Sequence, residues 1–366
     1  MNKGLEDAAN HPLFQRIEKF RRRAGRLRDK VITSAHGGGG KAMRDLIDDL
    51  IVRELGGPEL EVDEDQARFS LAQLATYGDR LAFTTDSYVV TPLEFPGGDI
   101  GKLAVCGTIN DLAVSGAQPL YLSCGLVIEE GLEVKTLRRI LRSMGETARA
   151  AGVSIVTGDT KVVPRGAADG LFINTSGVGV IPEGRAIRAS AVDASDVLIT
   201  NGYMGDHGAA ILVARGELKL ESTIPSDCAP LHELIGQLIE GVEVHALRDI
   251  TRGGLSAVVN EFALSSEVGV VVDAGAIPVR PEVKGFCEIL GLEPVHLANE
   301  GKFLAAVPAA QAGRALEILK AHPLGEHAAV VASCRPDPPG VVTVRTGFGS
   351  ERILDMLVGE QLPRIC

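Results

Sequence analysis

Hydrophobic positions along the chain switch between a helical and an extended period, and the switches locate most of the elements. In KAMRDLIDDLIVREL (41–55), Met43, Leu46, Ile47, Leu50 and Ile51 fall on one helical face, the spacing of an amphipathic helix. Gly56, Gly57 and Pro58 stop it. LAFTTD (81–86) reads as a strand ending at an acid, and the Gly/Pro-rich TPLEFPGGD leads into a helix near 101–114. VKTLRRILRSMGETARAAG (134–152) is a third, amphipathic helix. VSIVTGD (153–159) is a short apolar strand ending at another acid, and LFINTSGVGVI (171–181) is a further strand.

IPEGRAIRAS (181–190) breaks this pattern and marks a domain junction. DVLITNG (196–202) opens a second series of strands, with helices near 206–215, 230–240, 254–264, 281–290 and 309–321. RPDPPG (335–340) interrupts again, before the strand VVTVR and a short tail. Strands and helices mix without strict alternation, which predicts two α+β domains rather than one doubly wound sheet. The expected division is a basic extension over 1–32, a first domain over 33–190, a second over 191–335 and a terminal segment over 336–366. A chain of 366 residues has room for two cores.

Composition narrows the function. Aromatic residues are 4% with no Trp, which disfavours a stacking platform for single-stranded nucleic acid. The balance of 37 basic and 48 acidic residues, net −11, disfavours nucleic acid and anionic membrane as partners. No window approaches eighteen unbroken apolar residues, so no membrane span is expected. Residues 1–30 carry nine Lys/Arg and four Asp/Glu, and no hydrophobic stretch follows Arg21, Arg22 and Arg23. The expected location is cytoplasmic. Six scattered cysteines without a C-x-x-C pair suggest neither a disulfide framework nor a zinc ribbon.

Candidate chemistry falls into four places. His36, Gly37, Gly38, Gly39, Gly40 and Lys41 directly precede a helix, where glycine backbone N–H groups and the helix N-terminus suit an anion. Ala35 and Ala42 rule out a Walker A loop. Asp86, Asp111 and Asp159 each follow an apolar stretch, the setting in which carboxylates supply oxygen ligands to Mg²⁺. Lys161 lies two residues after Asp159, on the same face if the segment is a strand. In the second half, TRGGLSAVVNEFA, HLANEGK with Glu300, and NGYMGDHG with Asp206 and His207 are polar clusters at element ends. Cys366 is the last residue, after Pro363-Arg364-Ile365. It reads as a handle, because a terminal thiol serves no fold requirement.

Together these residues resemble the HypE family of hydrogenase maturation proteins, the carbamoyl dehydratases, within the superfamily of aminoimidazole ribonucleotide synthetases and selenide water dikinases. AHGGGGKAMRDLI, TDSYVVTPLEFPGGDIGKLAVCGTINDLAVSGA, VTGDTKVV, LANEGK and the terminal PRIC carry the resemblance, over roughly residues 33–366. It implies a PurM-like pair of α+β domains with a flexible C-terminal tail, and a homodimer formed through the first domain. It implies that the terminal thiol receives a carbamoyl group from a HypF carbamoyltransferase. ATP with Mg²⁺ then dehydrates R–S–C(=O)NH₂ to R–S–C≡N, and the cyanide passes to iron on a HypC–HypD complex.

Carried onto this chain, Cys366 bears the group and Glu300, or second His36, takes protons. Gly37 to Gly40, Lys41, Asp86, Asn110, Asp159 and Lys161 hold nucleotide, and Asp86, Asp111 and Asp159 hold metal. Residues 1–32 extend beyond the family's usual start, and Gly38 stands where Ser or Ala is commoner. Two rival readings are weaker. A selenide water dikinase carries its Cys or selenocysteine near the glycine loop, whereas the first cysteine here is Cys106. A non-enzymatic iron chaperone would rely on a single thiol, a poor iron site without neighbouring ligands.

Overall fold

Two large sheets, one in each half of the chain, close around a shared apolar helix. A computed structural model describes residues 26–57, 60, 64–216, 224–347, 349–357 and 364–366. Most of the basic extension, residues 1–25, and Pro363 lie outside the described residues. The elements are α1 (Lys41–Leu46), α2 (Val52–Leu55), β1 (Arg80–Tyr88), α3 (Ile100–Val114), β2 (Gln118–Glu129), α4 (Val134–Ala150), β3 (Ser154–Val163) and β4 (Leu171–Ile181). In the second half they are β5 (Asp196–Thr200), α5 (Asp206–Ala214), α6 (His232–Gly241), β6 (Ala246–Asp249), α7 (Gly254–Ser266), β7 (Gly269–Asp273), α8 (Pro281–Leu290), β8 (Phe303–Pro308), α9 (Ala312–Lys320), β9 (Ala329–Arg335), β10 (Val342–Arg345) and β11 (Glu351–Ile353).

The first sheet runs β1-β4-β2-β3, with β2 and β3 parallel and the other pairs antiparallel. The second runs β11-β10-β7-β9-β5-β8-β6. The helix expected over 41–55 is present, with a π-helical turn at Ile47–Ile51 between α1 and α2. The strand expected to stop at Asp159 continues to Val163, so Asp159 and Lys161 are mid-strand. β7 and β8 are buried on both faces and read as continuous apolar runs without an alternating period.

α3 begins at Asp99, whose side chain accepts from the N–H groups of Gly101 (2.7 Å) and Lys102 (3.1 Å), an N-cap. Twelve of its fifteen residues are buried, which fits a helix apolar all round. One side packs on the first sheet, and the other meets α6 and β6 of the second half. Asn110 clamps that second contact. Its amide N donates to the carbonyls of Ala229 (3.1 Å) and Glu300 (3.4 Å), and its Oδ1 accepts from Leu231 N–H (2.8 Å). Among the described residues no helix is long and apolar enough to cross a membrane.

α4 covers the same side of the first sheet with a stripe of Leu137, Ile140, Leu141, Met144 and Ala148. Glu54 of α2 ties onto it. Its carboxylate accepts from Arg138 (2.8 Å) and Arg142 (3.0 Å). Burial alone would raise the Glu54 pKa, but the two guanidiniums hold it below the usual carboxylate range. Its contribution to stability is therefore present above the unfolded pKa and lost as pH falls through the lower folded one. Glu54→Gln should cost about 2 kcal/mol at pH 7, and the gap to wild type should shrink below about pH 4. Urea unfolding at the two pH values reads both.

Candidate functional site

The register of the first sheet sorts the expected site residues onto two opposite faces. Thr175 is buried against α3, and Asp86 lies directly across from it, so Asp86 faces α3. Thr84, two residues earlier, donates to Asp111 of α3 (2.8 Å). Asn174 pairs with Ser87 on one side and Gly125 on the other, and Gly125 pairs with Asp159. Asp159 and Lys161 therefore project from the uncovered face, three strands from β1. They pair with each other at 2.7 Å, each about two-thirds exposed. Within one chain, Asp159 does not join Asp86 and Asp111, so the three-acid metal set expected from sequence does not come together.

What gathers on the α3 side is a different acidic cluster: Asp86, Asp111, Asp249 at the end of β6, and Glu300 before β8. Burial, with Asp86 nearby, raises the Asp111 pKa despite its bond from Thr84. Asp249 is pushed up to about 7 by burial and then by Asp111. Glu300 is 3% exposed and its Oε1 has no partner. Burial first, then Cys228, Asp227, Asp249 and Asp86, raise its pKa well above the carboxylate range. Burial favours the neutral, protonated forms of these carboxyls, and a divalent cation among their hard oxygen donors would favour the charged forms instead. Among the described residues no three His, Cys, Asp or Glu side chains converge to ligating positions.

The other expected residues separate further. His36 is 1% exposed and works as a cap: its Nδ1 accepts from Thr33 N–H (3.0 Å), and its Nε2 faces Asp29 at 3.4 Å. It is held in the loop's own structure and lines neither cavity described below. Asn110, expected at nucleotide, has its amide engaged by the second half as described above. Lys41 pairs with Asp45 (2.6 Å) on the surface.

The glycine loop packs on β3. A Cβ at Gly37 would lie 2.9 Å from the Val162 Cβ, and Gly39 has φ +73°, so both positions require glycine. Beside this loop, α1, the π turn and β3 enclose a cavity of about 630 Å³. Met43, Ile47 and Ile51 form an apolar wall, and Gly158, Asp159 and Thr160 form a polar one. Its size and mixed lining are those of a cofactor site. A second cavity of about 350 Å³ lies where Lys102 of α3 meets Asp227, Cys228 and Lys302.

Sequence reasoning missed Asp227, which accepts from the Glu300 N–H (3.0 Å) and pairs with Lys302 (3.2 Å). No motif surrounds it. His207 stood in NGYMGDHG without an assignable part.

The terminal residues are docked. Ile365 is 6% exposed and forms an antiparallel bridge with Val90, while Arg364 pairs with Asp169 (2.7 Å).

Because Asp249 takes up a proton more readily folded than unfolded, it destabilises the fold as pH rises from about 4 to 7. Asp249→Asn should be more stable than wild type at pH 8, by on the order of 1–3 kcal/mol. The advantage should vanish below about pH 4, as thermal melts across pH would read.

Residues 64–181 match the N-terminal domain of AIR synthase related proteins, and residues 193–345 match the C-terminal domain. The chain is 58% identical over 341 residues to the carbamoyl dehydratase HypE of Rhodobacter capsulatus, covering 93% of this chain and 99% of that one. The crystal structure of a hydrogenase maturation protein HypE in complex with ATP superposes with a TM-score of 0.86 at 46% identity, covering 91% of this chain and 99% of that one. A HypE–HypF complex structure matches with a TM-score of 0.73 at 42% identity, covering 85% and 99%. With two matched domains that together span most of its length, and more than half its residues shared with a curated relative, the chain belongs to the HypE carbamoyl dehydratase family.

Proposed function

We propose that this protein dehydrates a carbamoyl group carried on its own C-terminal cysteine, using ATP, to supply the cyanide of a NiFe hydrogenase centre. The observation that carries the reading is the docked terminus: Ile365 lies in the seam between the halves, and the adjacent half-buried Cys366 packs against the core there.

The chemistry follows from the thiocarbamate. An amide oxygen leaves poorly. When it attacks the γ-phosphorus of ATP, ADP departs and the oxygen becomes part of a good leaving group. Loss of two protons from nitrogen and expulsion of phosphate then give R–S–C≡N. The balance is thiocarbamate plus ATP to thiocyanate, ADP and phosphate. Glu300 in its carboxylate form takes one nitrogen proton, its proton affinity raised by burial, and the departing phosphate takes the other. The Asp159–Lys161 pair and the cavity beside the glycine loop receive the nucleotide, with Lys161 meeting phosphoryl charge. Asp86 and Asp111 would hold Mg²⁺ on the α3 face of the sheet, opposite Asp159 and Lys161, and the ion would neutralise phosphate charge that reaches that face.

The open face of the first sheet supports a homodimer. Leu81 and Phe83 on β1 are 58% and 72% exposed, and an uncovered apolar strand face is an association surface. A second copy there would also cover the Asp159–Lys161 pair. HypF would load the thiol, and HypC–HypD would accept the cyanide.

Lys161→Ala or Asp159→Asn should reduce ATP turnover by at least about 100-fold, the scale of losing a positioned charge, with melting unchanged because both side chains are exposed. Wild-type turnover in either variant would remove the pair from the site. Cys366→Ser should accept no carbamoyl group, since the thiolate is the nucleophile, yet still bind ATP. Mass spectrometry of the C-terminal peptide after incubation with the transferase, carbamoyl phosphate and ATP reads this; an adduct on any other cysteine overturns the reading.

A further inference from the structure

The docking seam draws on both halves. From the first, Val90 bridges Ile365, Thr91 N–H donates to the Arg364 carbonyl (3.2 Å), and Asp169 takes the Arg364 guanidinium. From the second, Arg215 donates to the same Arg364 carbonyl (2.8 Å). His207 Nε2 lies 2.6 Å from the Ile365 carbonyl oxygen. The Arg215 bond is exposed to solvent, whereas the His207 bond is buried. Water competes with the first and not with the second. Arg364 has φ +57°, a conformation that L residues hold only when neighbours fix it.

His207, in the first turn of α5, has no exposed surface and stands edge-on to Phe95, with ring centroids 5.6 Å apart. Burial lowers its pKa below the usual histidine value, so the ring is neutral at pH 7. A neutral imidazole has one N–H. The Ile365 carbonyl can only accept, so that N–H is on Nε2, and Nδ1 accepts from the Ser226 hydroxyl (2.8 Å). Ser226 Oγ accepts in turn from Cys228 N–H (3.1 Å), and Asp227 between them holds the Glu300 N–H. Ser226 N–H donates to Pro96 O (2.8 Å), anchoring this segment to the first half.

We propose that His207 is a positioning residue for the carrier tail: its Nε2–H holds the Ile365 carbonyl and fixes the Cys366 thiol at the seam, tied through residues 226–228 to Glu300. The inference rests on the reading that Cys366 carries the reacting group. His207 touches the last peptide and not the reacting atoms. The sequence separation, 158 residues, is why nothing in NGYMGDHG announces the role.

The test measures release of Cys366 from the intact protein by carboxypeptidase, beside single-turnover dehydration of carbamoyl-loaded protein. His207→Ala should speed release about tenfold and slow dehydration about tenfold, the effect of losing one buried hydrogen bond, with KM for ATP unchanged. His207→Gln, which can place an amide N–H near the Nε2 position, should recover most of both. Ile365→Asp attacks the docking from the tail's side, by replacing an apolar side chain buried at the seam, and should behave as His207→Ala does, with a melting curve recorded beside it. Unchanged release in His207→Ala and Ile365→Asp overturns the inference. So does a His207→Gln variant no better than alanine, or a loss of dehydration that appears as a raised KM for ATP. Full dehydration by Cys366→Ser would instead overturn the carrier reading, and the release rates would still decide the docking.

Discussion

Helix α3 has no solvent side, and the geometry of both halves follows from that. The first sheet packs on one face, while α6 and β6 close on the other. Close approach is built in: a Cβ at Gly101 would strike the Ile140 carbonyl, and one at Gly107 would strike the Tyr88 hydroxyl. An apolar helix between two layers still needs a register, and Asn110 supplies it. A buried amide must be satisfied, and its partners Ala229, Leu231 and Glu300 belong to the second half. The polar clamp thus fixes the seam that apolar contact alone would leave free to slide.

The seam concentrates charge as a consequence. Asp86 and Asp111 come from the first half, Asp249 and Glu300 from the second, and burial raises the proton affinity of Asp111, Asp249 and Glu300. Stability alone would not retain several partly or fully buried acids without matching cations. Perturbed carboxyls grouped in a cleft are instead characteristic of sites that handle protons or cations. The Asp159–Lys161 pair is the opposite case. It is exposed and self-paired, and Lys161 holds the Asp159 pKa below the usual range. One set lies inside the protein and the other on its open sheet face, so a chemistry using both needs something to cover that face.

The terminus links these regions. Its backbone is held by both halves and its last side chains lie at the seam, yet its bonds are few and mostly at the surface. A segment held this way can be released without unfolding anything, since local openings cost far less than global ones.

By itself the sequence determined much of the local structure. The amphipathic helices 41–55 and 134–152 and the mixed order of elements were legible because each depends on neighbours a few residues apart. The glycine run, GDTKVV, LANEGK and PRIC pointed to the family because they are contiguous. What the sequence did not determine was which of these pieces meet. Strand alternation turns each residue to one face, but the face that becomes covered is set by α3 and α4 docking on the sheet, so Asp86 and Asp159 looked equivalent and are not. His36 looked like a base and is a cap, because its partner Thr33 is local while its burial is not. Asn110 looked like a ligand and is a clamp; Asp227 and His207 carried no signal. Their roles come from contacts across 73 to 190 residues of chain, and only the closing of the two halves on one helix brings such residues within hydrogen-bond reach.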